Sequence, residues 1–288
     1  MANLKEVKSK IGGVKKTSQI TKAMNMVAAA KLRGAQERME RFRSYAEKFA
    51  EAMQSVSGNM DPGQFPLMQA REVNTVELVV VTSDRGLCGS FNANILKATE
   101  RLIRQYQGEG KKVSLVCVGK KSRNYFSKRA TVRRSFPDIM NTFQMFNARE
   151  IATDIAAAFL AGDIDEVRLV YSSFQSVAVQ KAVSEALLPV QPVAAAGEGG
   201  TTAEYIYEPD PAAIMETLLP LYLNVMVYHA MLEVSAGEHA ARMTAMDNAT
   251  RACSDMIHSL TLLYNKARQS AITAELMDIV GGAEALKG

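Results

Sequence analysis

The stretch with the strongest chemical character is the loop SDRGLCGS at residues 83–90. It follows a β-branched run and precedes a helical pattern, and a glycine-rich strand-to-helix turn can offer backbone N–H groups to a phosphate. Its glycines do not complete the GxGxxG spacing, so a tight turn and helix cap, placed to touch another subunit, is favoured over a phosphate cradle. Gly119 and Lys120 also follow a strand pattern, but Ser114 and Lys121 stand where a Walker A loop needs Gly and Ser or Thr. All three histidines, His229, His239 and His258, fall in the C-terminal stretch. Their mutual spacings suit no helical metal pair, and the central region has no histidine for a Ser-His-Asp or Cys-His nucleophile. Asp163, Asp165 and Glu166 precede a strand and read as a polar turn rather than a metal site. Cys88, Cys117 and Cys253 are isolated, without CxxC, as in a reducing compartment. The expectation is a chain with no catalytic site, metal or cofactor, which acts through contacts.

Those residues are positioned by two kinds of element. The ends read as long helices. Leu4, Val7, Ile11, Val14, Ser18, Thr21, Asn25, Ala28, Leu32, Ala35, Met39, Phe42, Ala46, Phe49, Met53 and Val56 alternate steps of three and four, the rhythm of a coiled-coil seam. Leu218, Tyr222, Val225, His229, Leu232, Ala236, His239, Met243, Met246, Thr250, Cys253, Ile257, Leu260, Tyr264, Ala267, Ala271 and Ala274 do the same near the other end. The polar trio Ser18, Thr21 and Asn25 interrupts the first seam, with a second apolar set at Ile20, Met24 and Val27. Either the helix touches something besides its partner there or the seam has a local stutter. If the two helices run antiparallel, the C-terminal one is longer by about twenty residues, or roughly 30 Å. It would project alone from about Lys266, with its apolar set moved to Ile272, Leu276, Ile279, Ala283 and Leu286.

Between the helical ends the pattern alternates. Strands are expected at 75–82, 112–118, 131–136 and 167–172, and helices at 92–107, 120–128 and 148–160, with 177–187 ambiguous. This implies an α/β, Rossmann-like, mainly parallel open sheet inserted between the halves of an antiparallel two-helix coiled coil. The expected domains are 1–57 with 209–288 for the coiled coil and 72–194 for the α/β domain, joined by linkers 58–71 and 195–208. Asp210 is the expected N-cap and Pro211 the first residue of the last helix.

The net charge is +4, unevenly placed. Residues 7–36 hold no acid but carry Lys8, Lys10, Lys15, Lys16, Lys22, Lys31 and Arg33: a solvated face or the contact for an acidic partner. The most apolar window, 218–232, is short for a bilayer span and contains Asn224 and His229. Any membrane contact is expected through partners.

Several of these stretches resemble one family. ITKAMNMVAAAK at 20–31, ARMTAMDNAT at 241–250, YNKARQSAITAEL at 264–276, IVGGA at 279–283 and SDRGLCG at 83–89 resemble the signatures of the gamma subunit of bacterial F-type ATP synthase, and the likeness spans essentially the whole chain. It implies a non-catalytic rotor subunit on the cytoplasmic face of the bacterial cell membrane. Its coiled coil would stand inside a ring of three alpha and three beta subunits. Its α/β domain would form the foot, against epsilon and the c-subunit ring. By position, the resemblance assigns Arg268, Gln269 and Thr273 to a beta catch loop and places Lys22 and Met24 near beta's acidic lever. It assigns Ile272, Leu276, Ile279 and Leu286 to a bearing, and Asp84, Arg85, Gly86 and Cys88 to the foot loop. The chloroplast insert with a cysteine pair is absent, so thiol regulation of that kind is not expected. The alternative class is a basic coiled-coil nucleic-acid-binding protein, opposed by the lack of interleaved aromatics in 7–36 and of any nucleic-acid motif.

Overall fold

The computed structural model describes residues 4–57, 62–191 and 210–285. Its elements are α1 (Leu4–Ser57), β1 (Thr75–Val81), α2 (Phe91–Gly108), β2 (Lys112–Val118), α3 (Lys120–Phe126), β3 (Val132–Phe136), α4 (Met145–Leu160), β4 (Glu166–Phe174), β5 (Gln180–Leu188) and α5 (Pro211–Ala285), with a 3-10 turn at Pro62–Gln64. The chain divides into a central unit, Ala29–Arg242, and a terminal unit, Met1–Ala28 with Met243–Gly288.

In the central unit five strands form one sheet in the order β3-β2-β1-β4-β5. β1 pairs in parallel with both β2 and β4, and β2 with β3. The ambiguous stretch 177–187 resolves as β5, antiparallel to β4 at the sheet edge. β1 owes its central place to its run of branched side chains, buried without exception from Val76 to Val81. Glu77 lies in the middle of that run, fully buried, and takes a bidentate ion pair from Arg133 of β3. Gly119, at φ 92°, lets β2 turn into α3; a Cβ there would lie 2.1 Å from the Thr82 carbonyl oxygen.

α5 begins where expected. Asp210 Oδ1 accepts from Ala212 N at 2.8 Å, the N-cap arrangement, with Pro211 in the first helical position. Within the central unit α5 does more than form a seam. Every residue from Ala230 to Glu238 is buried, so the helix is covered on all sides. Phe42 of α1 meets Tyr228 edge-on, 4.9 Å between ring centroids. Phe91 of α2 lies over Gly237, where a Cβ would come within 2.7 Å of the ring. Glu233 accepts the backbone N–H of Phe174, at the end of β4. One eighteen-residue window of α5 is apolar enough to cross a bilayer, and half of it is buried inside the molecule.

In the terminal unit the two helices run antiparallel. Thr21 meets Thr250 at 2.8 Å between hydroxyls, and Asn25 Nδ2 donates to the Met243 carbonyl at 2.8 Å. Thr21 and Asn25 are therefore bonded across the seam, and with the half-buried Ser18 they keep its three-four rhythm, so the seam has no stutter there. Thr21 is buried and Ser18 and Asn25 are half-buried, while Ile20 and Val27 of the second set stand in solvent. The predicted α5 seam positions remain at least half-buried through Ala271. The last one, Ala274, is exposed, as is every residue from 272 to 284. Cover thus ends a few residues beyond the expected Lys266.

Candidate functional site

The loop after β1 is closed by its own polar atoms. Asn92 Oδ1 accepts from Ser83 N at 3.1 Å, and Ser83 Oγ donates to the Arg85 carbonyl at 2.7 Å. Asp84, nearly buried, is the anchor. Its Oδ1 accepts from Lys120 N at 2.9 Å and Asp138 N at 3.0 Å, and its Oδ2 from Met140 N at 2.8 Å. These N–H groups belong to the segments that follow β2 and β3, so one carboxylate ties together the C-terminal ends of three parallel strands. An open α/β sheet offers its anion-binding amides there. In this chain the protein's own carboxylate occupies them. Arg85 is exposed, and Leu87, at φ 61°, is 65% exposed. Cys88 is buried beneath the loop, its sulfur accepting from Asn92 Nδ2 at 3.2 Å. Burial, with the nearby Glu238 charge next, pushes its thiol pKa up, which disfavours the nucleophilic thiolate.

Beneath Gly86 lies a charged group that sequence spacing alone did not single out. Arg242 Nη2 donates to the Gly86 carbonyl at 3.1 Å and to Glu238 Oε1, one helical turn back on α5. Both side chains are nearly buried: 10% of Arg242 and 7% of Glu238 is exposed. Arg242 Nη1 lies 3.3 Å from His239 Nδ1. Arginine only donates, so that nitrogen accepts and the imidazole is neutral. Burial, then the Arg242 charge, pushes the His239 pKa down to about 4. Burial raises the Glu238 carboxyl pKa, against the opposing pull of Arg242. The signal that could have found this group is the pair Glu238 and Arg242 at i, i+4 inside an otherwise apolar stretch.

The other predicted positions are spread along the two helices of the terminal unit. Lys22 is exposed and Met24 half-buried on α1. Arg268, Gln269 and Thr273 are exposed on α5, and the Thr273 hydroxyl returns to the Gln269 carbonyl at 3.0 Å. Among the described residues neither the Arg268 nor the Gln269 side chain has an intramolecular partner. Ile272, Leu276 and Ile279 are 49%, 57% and 68% exposed, an unusual state for three large apolar groups so close together. Leu286 lies outside the described residues. The Asp165 carboxylate accepts from Asn74 N and Thr75 N, and Glu166 pairs with Arg168; both serve the start of the sheet. Among the described residues no group of three or more His, Cys, Asp or Glu could hold a metal ion.

A family model described as ATP synthase matches residues 3–286. An ATP synthase gamma chain of Desulfotalea psychrophila is 63% identical over 290 residues, covering all of both chains. The chain belongs to the ATP synthase gamma chain family. A second gamma chain, from Nitratidesulfovibrio vulgaris, is 51% identical, again over all of both chains. Among solved structures, a chain of the Tetrahymena thermophila mitochondrial ATP synthase central stalk and c-ring is 27% identical with a TM-score of 0.61, covering 80% of this chain and 99% of that one. A chain of the Euglena gracilis OSCP/F1/c-ring assembly, 23% identical with a TM-score of 0.70 over 98% and 94%, shares the fold. Membership makes this a non-catalytic component of the ATP synthase complex, its central-stalk rotor, and sets aside the nucleic-acid alternative. The buried Glu238–Arg242 pair joins two gamma-family signatures, SDRGLCG and ARMTAMDNAT, that lie far apart in sequence.

Proposed function

We propose that the chain couples proton flow through a ring of c subunits to ATP synthesis and hydrolysis at beta subunits, by rotating inside a ring of three alpha and three beta subunits. It would sit peripherally at the cytoplasmic face of the cell membrane, touching epsilon and the c ring through the α/β sheet unit, with residues 1–57 and 209–288 as shaft. Each orientation of an asymmetric shaft favours a different set of beta conformations, so rotation is mechanical coupling.

The observation that carries this reading is the last part of α5. A helix of a rotor family exposes Ile272, Leu276, Met277, Ile279 and Val280 in succession. Fully burying such side chains contributes about 1.5–3 kcal/mol each, and these are a little over half exposed, so a protein sleeve around them would remove apolar surface worth on the order of 5 kcal/mol. Arg268 and Gln269, with free donors one to three turns earlier, are the proposed contacts for a beta catch loop, with Thr273. Lys22 and Met24 are proposed to pass beta's acidic lever.

The test is to tag the chain, purify it from membranes and assay ATPase. Recovery with alpha, beta, epsilon and c subunits in one ATP-hydrolysing complex is expected. Recovery of the chain alone, with ATPase activity in a separate fraction, would overturn the reading.

A further inference from the structure

We propose that the Glu238–Arg242 pair is a positioning clip, which holds the Gly86 carbonyl so that the loop 83–89 stays fixed on α5 with Arg85 and Leu87 turned outward. Its consequence for turnover rests on the rotor reading above; its geometry does not.

Glu238 and His239 set the guanidinium's orientation from its own helix, at i−4 and i−3. Arg242 then reaches the loop with two donors on one carbonyl, Nη2 at 3.1 Å and Nε at 3.4 Å. The loop does not need this bond to close, because Ser83, Asp84 and Asn92 already hold its start and its middle. On the far side of Leu87, Cys88 is held by Asn92 and by the Phe91 N–H; what these bonds leave unfixed is the near side, at Gly86. A leucine at φ 61° is in a backbone state that glycine would adopt with less strain. Such a residue persists where its surroundings over-determine it, and it is found where contact is made. The clip supplies that constraint, and the side chain it holds in place is apolar and exposed. Simple turn closure accounts for neither the exposed leucine nor a nearly dry ion pair from a helix 156 residues away. Cys88, beside Leu87 and buried beneath the loop, reports on whether the loop is shut.

The experiment has two arms. In the first, the full-length chain with Cys253→Ser is treated with a thiol-specific disulfide reagent, and modification of Cys88 and Cys117 is followed separately by peptide mass. Arg242→Gln and Glu238→Gln are expected to raise the Cys88 rate at least about tenfold and leave Cys117, fully buried in β2, unreactive. Arg242→Lys, which keeps the charge but not the fork, should fall between. An unchanged Cys88 rate overturns the clip, and so does Cys117 opening in parallel, since that marks a residue that merely holds the fold. In the second arm the same variants are built into the complete complex, where protons pumped per ATP hydrolysed should fall while assembly persists. Unchanged coupling in a variant whose Cys88 has opened overturns the clip's consequence for turnover. Failure of the unsubstituted chain to enter an ATPase would count against the rotor reading alone and leave the first arm standing.

Discussion

At the scale of single residues, Asp84 carries a sharp expectation. Both carboxylate oxygens face backbone N–H groups. Asp84→Asn replaces one oxygen by an NH2 that points at a donor whichever way the amide turns, so the isostere should be nearly as damaging as Asp84→Ala. Hydrogen bonds to a charged acceptor contribute about 1.5–3 kcal/mol each, and both variants should lose roughly 2–4 kcal/mol in urea unfolding. A silent Asn variant would refute the three-donor anchor. His239 gives a pH dependence. Its folded pKa, about 4, lies below its usual 6.5, so between those values the unfolded chain binds a proton that the folded chain does not. Stability therefore falls as pH drops from about 6.5 to 4. Lys31, Arg38, Arg85 and Arg242 face the ring and act in the same direction. Glu238 has the opposite sign, because its raised carboxyl pKa makes ionisation costly to the fold as pH climbs. Subtracting a His239→Gln variant, whose amide oxygen still accepts from Arg242, isolates the histidine. Tm of the variant should depend less on pH in that window; identical slopes would exclude the assignment. The sequence pointed to the loop as a turn, but the partner of Gly86 was not legible in it, since no local spacing connects residue 86 to residue 242.

At the scale of elements, period and composition were strong guides where one face is buried and weak where two are. The α1 seam from Leu4 to Val56 is buried or half-buried at every predicted position, because a single partner helix imposes one stripe. Residues 230–238 read as the same kind of stripe, yet they are buried all round. Ser235, Gly237, Glu233 and Glu238 interrupt the apolar pattern, and their burial depends on tertiary partners such as Phe91 and Phe174 N. β5 was ambiguous for a related reason. An antiparallel edge strand is only partly covered, and its burial alternates weakly. The polar layer of the terminal unit was visible as polarity but not as a set of bonds. Each hydroxyl has a carbonyl one turn back on its own helix, Met246 at 2.8 Å from Thr250 and Ser18 at 3.1 Å from Thr21, so one donates across the seam while the other donates to its own helix. Replacing either threonine by valine strands no buried donor, so each single change should cost under about 1 kcal/mol. A double-mutant cycle should return a coupling of about 0.5–1 kcal/mol between them. Zero coupling would mean that the hydroxyls are merely adjacent.

At the scale of the whole molecule, the question is which residues transmit force to the catalytic subunits and which only guide the rotor. Among the described residues the Arg268 and Gln269 side chains have no intramolecular partner, and an arginine–carboxylate contact can be bidentate and orientation-dependent. That suits an interaction made in one rotational state and broken in the others. Ile272, Leu276 and Ile279 are apolar and exposed, and an apolar sleeve has no directional bonds to break as the shaft turns, so it tolerates sliding. Removing residues 281–288 takes away Leu286 and leaves those three in place. With Leu286 goes the small Ala283 of the same apolar set, and assembly should survive, with ATPase per complex within about threefold of normal, since these two would supply a modest fraction of the area the proposed sleeve would bury. Arg268→Ala with Gln269→Ala would remove the directional bonds proposed for these two residues. A charge-assisted hydrogen bond made only at the transition between rotational states, at about 1.5–3 kcal/mol, corresponds to a loss of roughly tenfold or more in turnover. The two variants, purified as complete complexes and compared by ATPase per complex, should therefore rank with the double alanine variant below the truncation while both assemble. A truncation that abolishes assembly beside a fully active double alanine variant would reverse the division of labour: the apolar end would hold the complex together, and Arg268 and Gln269 would be bystanders.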